Sequence, residues 1–118
     1  MGALADLATA LVALMHVAFL VLEMFLWTKP LGLKVFRNMP EKAEMTKVLA
    51  ANQGLYNGFL AAGLAWGLVA GSQPFKVFFL ACVVVAGAYG AWSVGRRIFW
   101  VQAAPAAVAL GLLLAASA

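Results

Sequence analysis

The chain has 118 residues, 66% hydrophobic and only 10% charged, with a mean hydropathy of +1.00; a soluble domain is nearer half apolar and a quarter charged, so the composition reads as one compact integral membrane unit. The net charge of +4 does not indicate nucleic acid, because the eight basic residues are spread along the chain with no reader motif beside them. One histidine and one cysteine, Cys82, exclude an internal disulfide and a zinc site of four such ligands within one subunit.

Four apolar segments approach the ~20 residues that a bilayer core requires: residues 4–27, 47–69, 75–94 and 98–116. They predict an all-α fold, a single antiparallel four-helix bundle spanning the membrane. The start, MGALADLATALVALMH, has no basic n-region, carries Asp6 and continues past the length of a signal's apolar core, so it is expected to remain as the first membrane helix. That helix holds His16 and Glu23 seven residues apart. Two turns separate them, so both leave one face, about 10 Å apart along the axis. Ionisable groups at membrane depth are costly and mark candidate functional positions.

Lys29-Pro30 ends the first helix, since proline lacks the donor and disfavours helix in the residue before it. In the linker, residues 28–46, Leu33, Val35, Phe36 and Met39 alternate with Lys34 and Arg37. This pattern suits a short piece on the membrane surface, and a solvated basic loop is the alternative. Asn38-Met39-Pro40-Glu41 has the form of a helix start, with Asn38 as N-cap and Glu41 as its capping-box partner. The second helix would then enter the bilayer near Lys47. Its glycines form two ladders on opposite sides, Gly54 with Gly58 and Gly63 with Gly67 and Gly71, so it should touch neighbours on two faces. After the short turn Gly71-Ser72-Gln73-Pro74, the third helix repeats the device with Ala86, Gly87, Gly90, Ala91 and Gly95. Gly95-Arg96-Arg97 is so short that helices three and four must be antiparallel neighbours. Pro105 in the fourth frees a backbone carbonyl just beyond Gln102.

Four crossings put both basic linkers on one side, with seven of the eight basic residues there and only Lys76 opposite. The positive-inside rule then places the linkers in the cytoplasm and both termini on the extracytoplasmic side. Counted from the cytoplasmic helix ends at 1.5 Å per residue, Glu23, Asn52, Gln53, Tyr89 and Gln102 lie roughly 6–9 Å deep, and His16 and Asn57 lie nearer the midplane. Polar groups in hydrocarbon need partners. Glu23 is therefore expected to accept from Asn52, Gln53, Tyr89 or Gln102, with His16 opposite Asn57, around a narrow polar pocket open to the cytoplasm and rimmed by Arg96 and Arg97.

The runs HVAFLVLEMFLW at 16–27, LAANQGLYNGFLAAGL at 49–64 and Val101-Gln102-x-x-Pro105 resemble the small bacterial membrane proteins catalogued as domain of unknown function 1304, over nearly the whole chain. The resemblance implies a compact multi-pass protein of the bacterial inner membrane with these polar motifs as its hallmark. It brings no assigned catalytic residues. An epoxidase label carried by some members is not transferred, because the chain has no flavin fingerprint and no haem or di-iron ligand set. No cofactor or metal is expected.

Three functions compete. In the first, the pocket binds a small lipophilic molecule, with Glu23 and His16 as an acid–base pair acting at two ends of the ligand or through water, and with Asn52, Gln53, Asn57, Tyr89 and Gln102 as binding residues. In the second, the chain is a proton-coupled small-solute transporter acting as an oligomer, against which the polar residues stop near the midplane. In the third, the polar cluster only specifies packing in an assembly subunit whose basic linker meets anionic lipid or a partner. The expected partners are the bilayer, a lipophilic ligand and, for transport, further copies of the chain.

Overall fold

Apolar residues at helical spacing, with proline and glycine at the breaks, fold the chain into α-helices. The computed structural model describes residues 2–117. The helices are α1 (Gly2–Met24), α2 (Pro30–Phe36), α3 (Pro40–Ala70), α4 (Gln73–Ser93) and α5 (Arg96–Ser117). Three of them, α1, α4 and α5, are long and apolar enough to cross a membrane. The expected fourth span, 47–69, does not reach that level of apolarity. It lies inside α3, where Asn52, Gln53 and Asn57 dilute the apolar run.

The breaks differ in detail from the expectation. Helix α1 stops at Met24, before Trp27: the amides of Phe25 and Leu26 both turn back to the Val21 carbonyl, at 3.0 and 3.2 Å. Lys29 then stands extended at the N-cap of α2 with Pro30 in its first turn, where a missing N–H costs nothing. Thus Pro30 starts a helix as well as excluding one. Helix α2 closes on Arg37 in the left-handed conformation (φ 55°), with Asn38 N–H on the Leu33 carbonyl at 3.0 Å. This is a Schellman end built on a residue other than glycine. Helix α3 starts at Pro40, one residue later than an Asn38 cap would give, and the Met39 carbonyl accepts from Ala43 N–H.

Tertiary contacts divide the chain into two units: one made of the chain up to Leu14 together with the chain from Leu60 onward, the other of Met15–Phe59. The first unit has a core of Ala5, Val12 and Ala13 from α1, Leu64 from α3, Leu80 and Val83 from α4, and Ala106, Ala109 and Leu113 from α5. Small residues let its helices approach. A β-carbon on Gly67 would lie 2.8 Å from Lys76 Cγ, and one on Gly87 would lie 2.6 Å from the backbone nitrogen of Ala103. Ala103 ends a π-helical turn, Phe99–Ala103, whose closing bond runs from Ala104 N–H to the Phe99 carbonyl. The wider turn immediately precedes Pro105, which has no N–H to donate and whose ring presses on the preceding turn. Gly71 is not part of the packing ladder. It adopts φ +63° as the turn glycine, and Ser72 caps α4 by accepting from Phe75 N–H. Lys76 Nζ donates to Asp6 Oδ1 at 3.0 Å, with the lysine side chain 9% exposed and the aspartate 52%.

Candidate functional site

The candidate site belongs to the unit Met15–Phe59, where the end of α1 packs on the first half of α3. Gly54 and Gly58 make the approach possible. A β-carbon on Gly54 would stand 2.8 Å from Met24 Cγ, 3.1 Å from Glu23 Cβ and 3.2 Å from the Leu20 carbonyl; on Gly58 it would stand 2.7 Å from Leu20 Cδ1. Asn57 lies one turn along α3 on the same face, almost fully buried, and its Nδ2 donates to Glu23 Oε1.

Glu23 opens onto a shallow groove of about 330 Å³, at the lower end of what small-molecule sites hold. The end of α1 and its turn line it with Glu23, Met24, Phe25, Trp27 and Thr28, and α3 lines it with Lys47, Val48 and Ala51. Trp27 is held from two sides. Its Nε1 donates to Thr46 Oγ1 at 3.1 Å, Thr46 donates to the Lys42 carbonyl at 2.8 Å, and the indole lies 4.8 Å from the Phe36 ring. Behind it α2 packs directly on the turn, since a β-carbon on buried Gly32 would run into the Leu26 carbonyl. Lys47 stands at the rim, paired with Glu44 one turn earlier; both side chains are more than half exposed, so the pair adds little stability. The arrangement sets a carboxyl group beside mostly apolar walls, and such a group can bond a hydroxyl or an amine. Among the described residues no group of three His, Cys, Asp or Glu side chains gathers to hold a metal ion.

Of the predicted site residues, one pair is brought together within this unit. Glu23 and Asn57 meet, although depth alone had placed Asn57 opposite His16. His16 is fully buried, its ring edge-on to Phe19 at 5.1 Å, and it does not line the groove. Asn52 and Gln53 are exposed. They precede Gly54 by two residues and one residue, which turns them about 200° and 100° away from the contact with α1. Tyr89 is exposed and Gln102 partly buried, both in the other unit. Sequence reasoning missed Trp27, Thr46, Lys47, Val48 and Ala51 as site residues. A signal for two of them existed: Lys47, Ala51, Gly54 and Gly58 follow one another at spacings of four, three and four, a single helix face.

Comparison with known proteins gives a family but no activity. A family model described as protein of unknown function (DUF1304) matches residues 10–114, a span that contains Glu23, Asn57 and the groove. The uncharacterized protein YpaA of Lactococcus lactis subsp. lactis (strain IL1403) is 28% identical over 114 residues, covering 93% of this chain and 96% of that one. No solved structure matches the chain.

Proposed function

The chain belongs to the DUF1304 family, and from that premise we propose that it is a bacterial inner-membrane protein whose Glu23 groove holds the polar head of a small lipophilic molecule. Helices α1, α4 and α5 cross the bilayer and α3 makes the fourth crossing. The basic segments 29–47 and 96–97 face the cytoplasm, as the positive-inside rule requires, and Asp6 neutralises the one lysine on the far side. The observation that carries the reading is the setting of the carboxyl: Asn57 donates to Glu23 Oε1, and Glu23 lines a groove whose other walls are mostly apolar. A hydroxyl or amine head donates to the Glu23 carboxyl, and the apolar body lies along Phe25, Val48 and Ala51. Any proton exchange with that head runs through Glu23, because His16 is buried away from the groove.

The test is thermal unfolding of the detergent-purified protein with farnesol and with farnesyl methyl ether, which lacks the donor. Farnesol stabilises the wild type and the ether does not. Glu23→Gln retains an oxygen acceptor for Asn57, so it stays folded but loses the response; Ala51→Trp fills the groove and loses it too. Equal stabilisation of wild type and Glu23→Gln would refute the reading. A Glu23→Gln chain that no longer folds would make the carboxyl a packing element instead.

A further inference from the structure

We propose that α3 is the subunit interface of a parallel homodimer, in which Asn52 of one chain pairs with Asn52 of a second copy. The face of α3 turned away from the Gly54–Gly58 contact carries Met45, Leu49, Asn52, Tyr56 and Phe59 at spacings of four, three, four and three. These are the core positions of a heptad seam. Every one of them is exposed: Met45 is 84% accessible, Leu49 72%, Tyr56 56% and Phe59 54%. An apolar strip of this kind is ordinary on a helix that faces lipid. The carboxamide on its midline is not.

Asn52 is exposed and makes no hydrogen bond among the described residues. Lipid tails offer neither donor nor acceptor, so an amide at this position needs a protein partner. A carboxamide is both donor and acceptor, so two identical ones satisfy each other completely. Two copies inserted with the same topology run parallel, and a two-fold axis along the membrane normal brings equivalent residues together at equal depth. The bilayer thus supplies the register that self-pairing at Asn52 requires. A lone asparagine at a seam position specifies pairing in coiled coils in the same way, and amides in membrane helices act as interhelical contacts. Gln53 flanks the seam and is exposed, placed to reach across it.

This inference rests on α3 lying in the bilayer and is independent of any ligand at Glu23. The full-length chain, with Cys82→Ala as background, is reconstituted in phosphatidylcholine–phosphatidylglycerol vesicles and oxidised with copper phenanthroline. Leu49→Cys and Tyr56→Cys are expected to cross-link into dimers, whereas Phe78→Cys, on the exposed surface of α4, is not. In dilution experiments read by fluorescence energy transfer, Asn52→Leu weakens the dimer roughly tenfold, the loss of a reciprocal pair of amide bonds, and Asn52→Gln retains most of the affinity. Asn52→Leu keeps the wild-type thermal stability in detergent, which separates lost pairing from lost folding. A monomer at every protein-to-lipid ratio, equal cross-linking at Phe78→Cys, or a dimer indifferent to Asn52→Leu would overturn the interface. Release of the chain by alkaline carbonate would overturn it by removing the membrane premise. A wild type that dimerises through the seam but ignores farnesol sinks only the ligand reading.

Discussion

Gly87→Ala should destabilise the protein by about 2 kcal/mol, while the chemically identical change Gly111→Ala should stabilise it by up to about 1 kcal/mol. Both glycines lie within helices, and each substitution removes the same backbone freedom from the unfolded chain, a gain of about 1 kcal/mol in a helix interior. The surroundings decide the sign. At Gly87 the new β-carbon would stand 2.6 Å from Ala103 N, 2.7 Å from Ala103 Cβ and 2.8 Å from Ala103 Cα, whereas at Gly111 it meets nothing within 4 Å. Carbon atoms pack best at about 3.5–4.0 Å, so α4 must withdraw by close to 1 Å from backbone that cannot rotate aside. Overpacking of this kind costs about 1–3 kcal/mol, and rigid backbone contacts put Gly87 at or beyond the upper end, leaving a net loss near 2 after the helix gain. Ala103→Gly removes only the contact at 2.7 Å and not those at 2.6 and 2.8 Å, so the double variant recovers part of the loss. Reversible unfolding in mixed micelles, followed by circular dichroism, measures all four chains. A shift of both single variants in the same direction, or full rescue by Ala103→Gly, would refute the close approach at the π turn.

The same assay tests three further expectations. Arg37→Gly relieves a left-handed residue at the end of α2 and should raise stability by about 1 kcal/mol; a loss would mean that the arginine side chain contributes more than its backbone costs. Asp6→Ala strands the nearly buried ammonium of Lys76, whereas Lys76→Met leaves a half-exposed carboxylate that water can solvate. The first should therefore cost about 1–2 kcal/mol and the second less, and the reverse order would contradict the burial of the pair. Asn57→Leu leaves Glu23 Oε1 without its donor and should cost about 1–2 kcal/mol. Glu23→Gln costs less because an amide oxygen still accepts, and equal losses would show that the charge itself is required for packing.

Much of the local structure was legible in the chain itself. Pro30, Pro40 and Gly71-Ser72 stand at the helix breaks because a proline without N–H and a glycine free to take positive φ act through their own backbone atoms. The two glycine ladders of α3 were also readable: Gly54 and Gly58 meet α1, and Gly63 and Gly67 meet α4. The exact ends were less so. Whether α1 runs to Trp27 or stops at Met24 depends on the Val21 carbonyl taking two amides and on Trp27 finding Thr46, a residue 19 positions away.

For the candidate site, composition and spacing alone determined that an acid and several amides lie in largely apolar helices and need partners, because hydrogen-bonding demand is a property of each side chain. They did not determine who meets whom. Depth follows from counting residues along an axis, and that count offers Asn52 and Gln53 of α3 to Glu23 and sets Asn57 opposite His16. Direction around the axis is set by which face of α3 presses on α1, and the Gly54–Gly58 contact chose the face that carries Asn57. That choice turned Asn52 outward and left His16 buried off the groove. Helix formation is local and so is written in the sequence, whereas the rotation of one helix against another is a packing decision that only the tertiary structure makes.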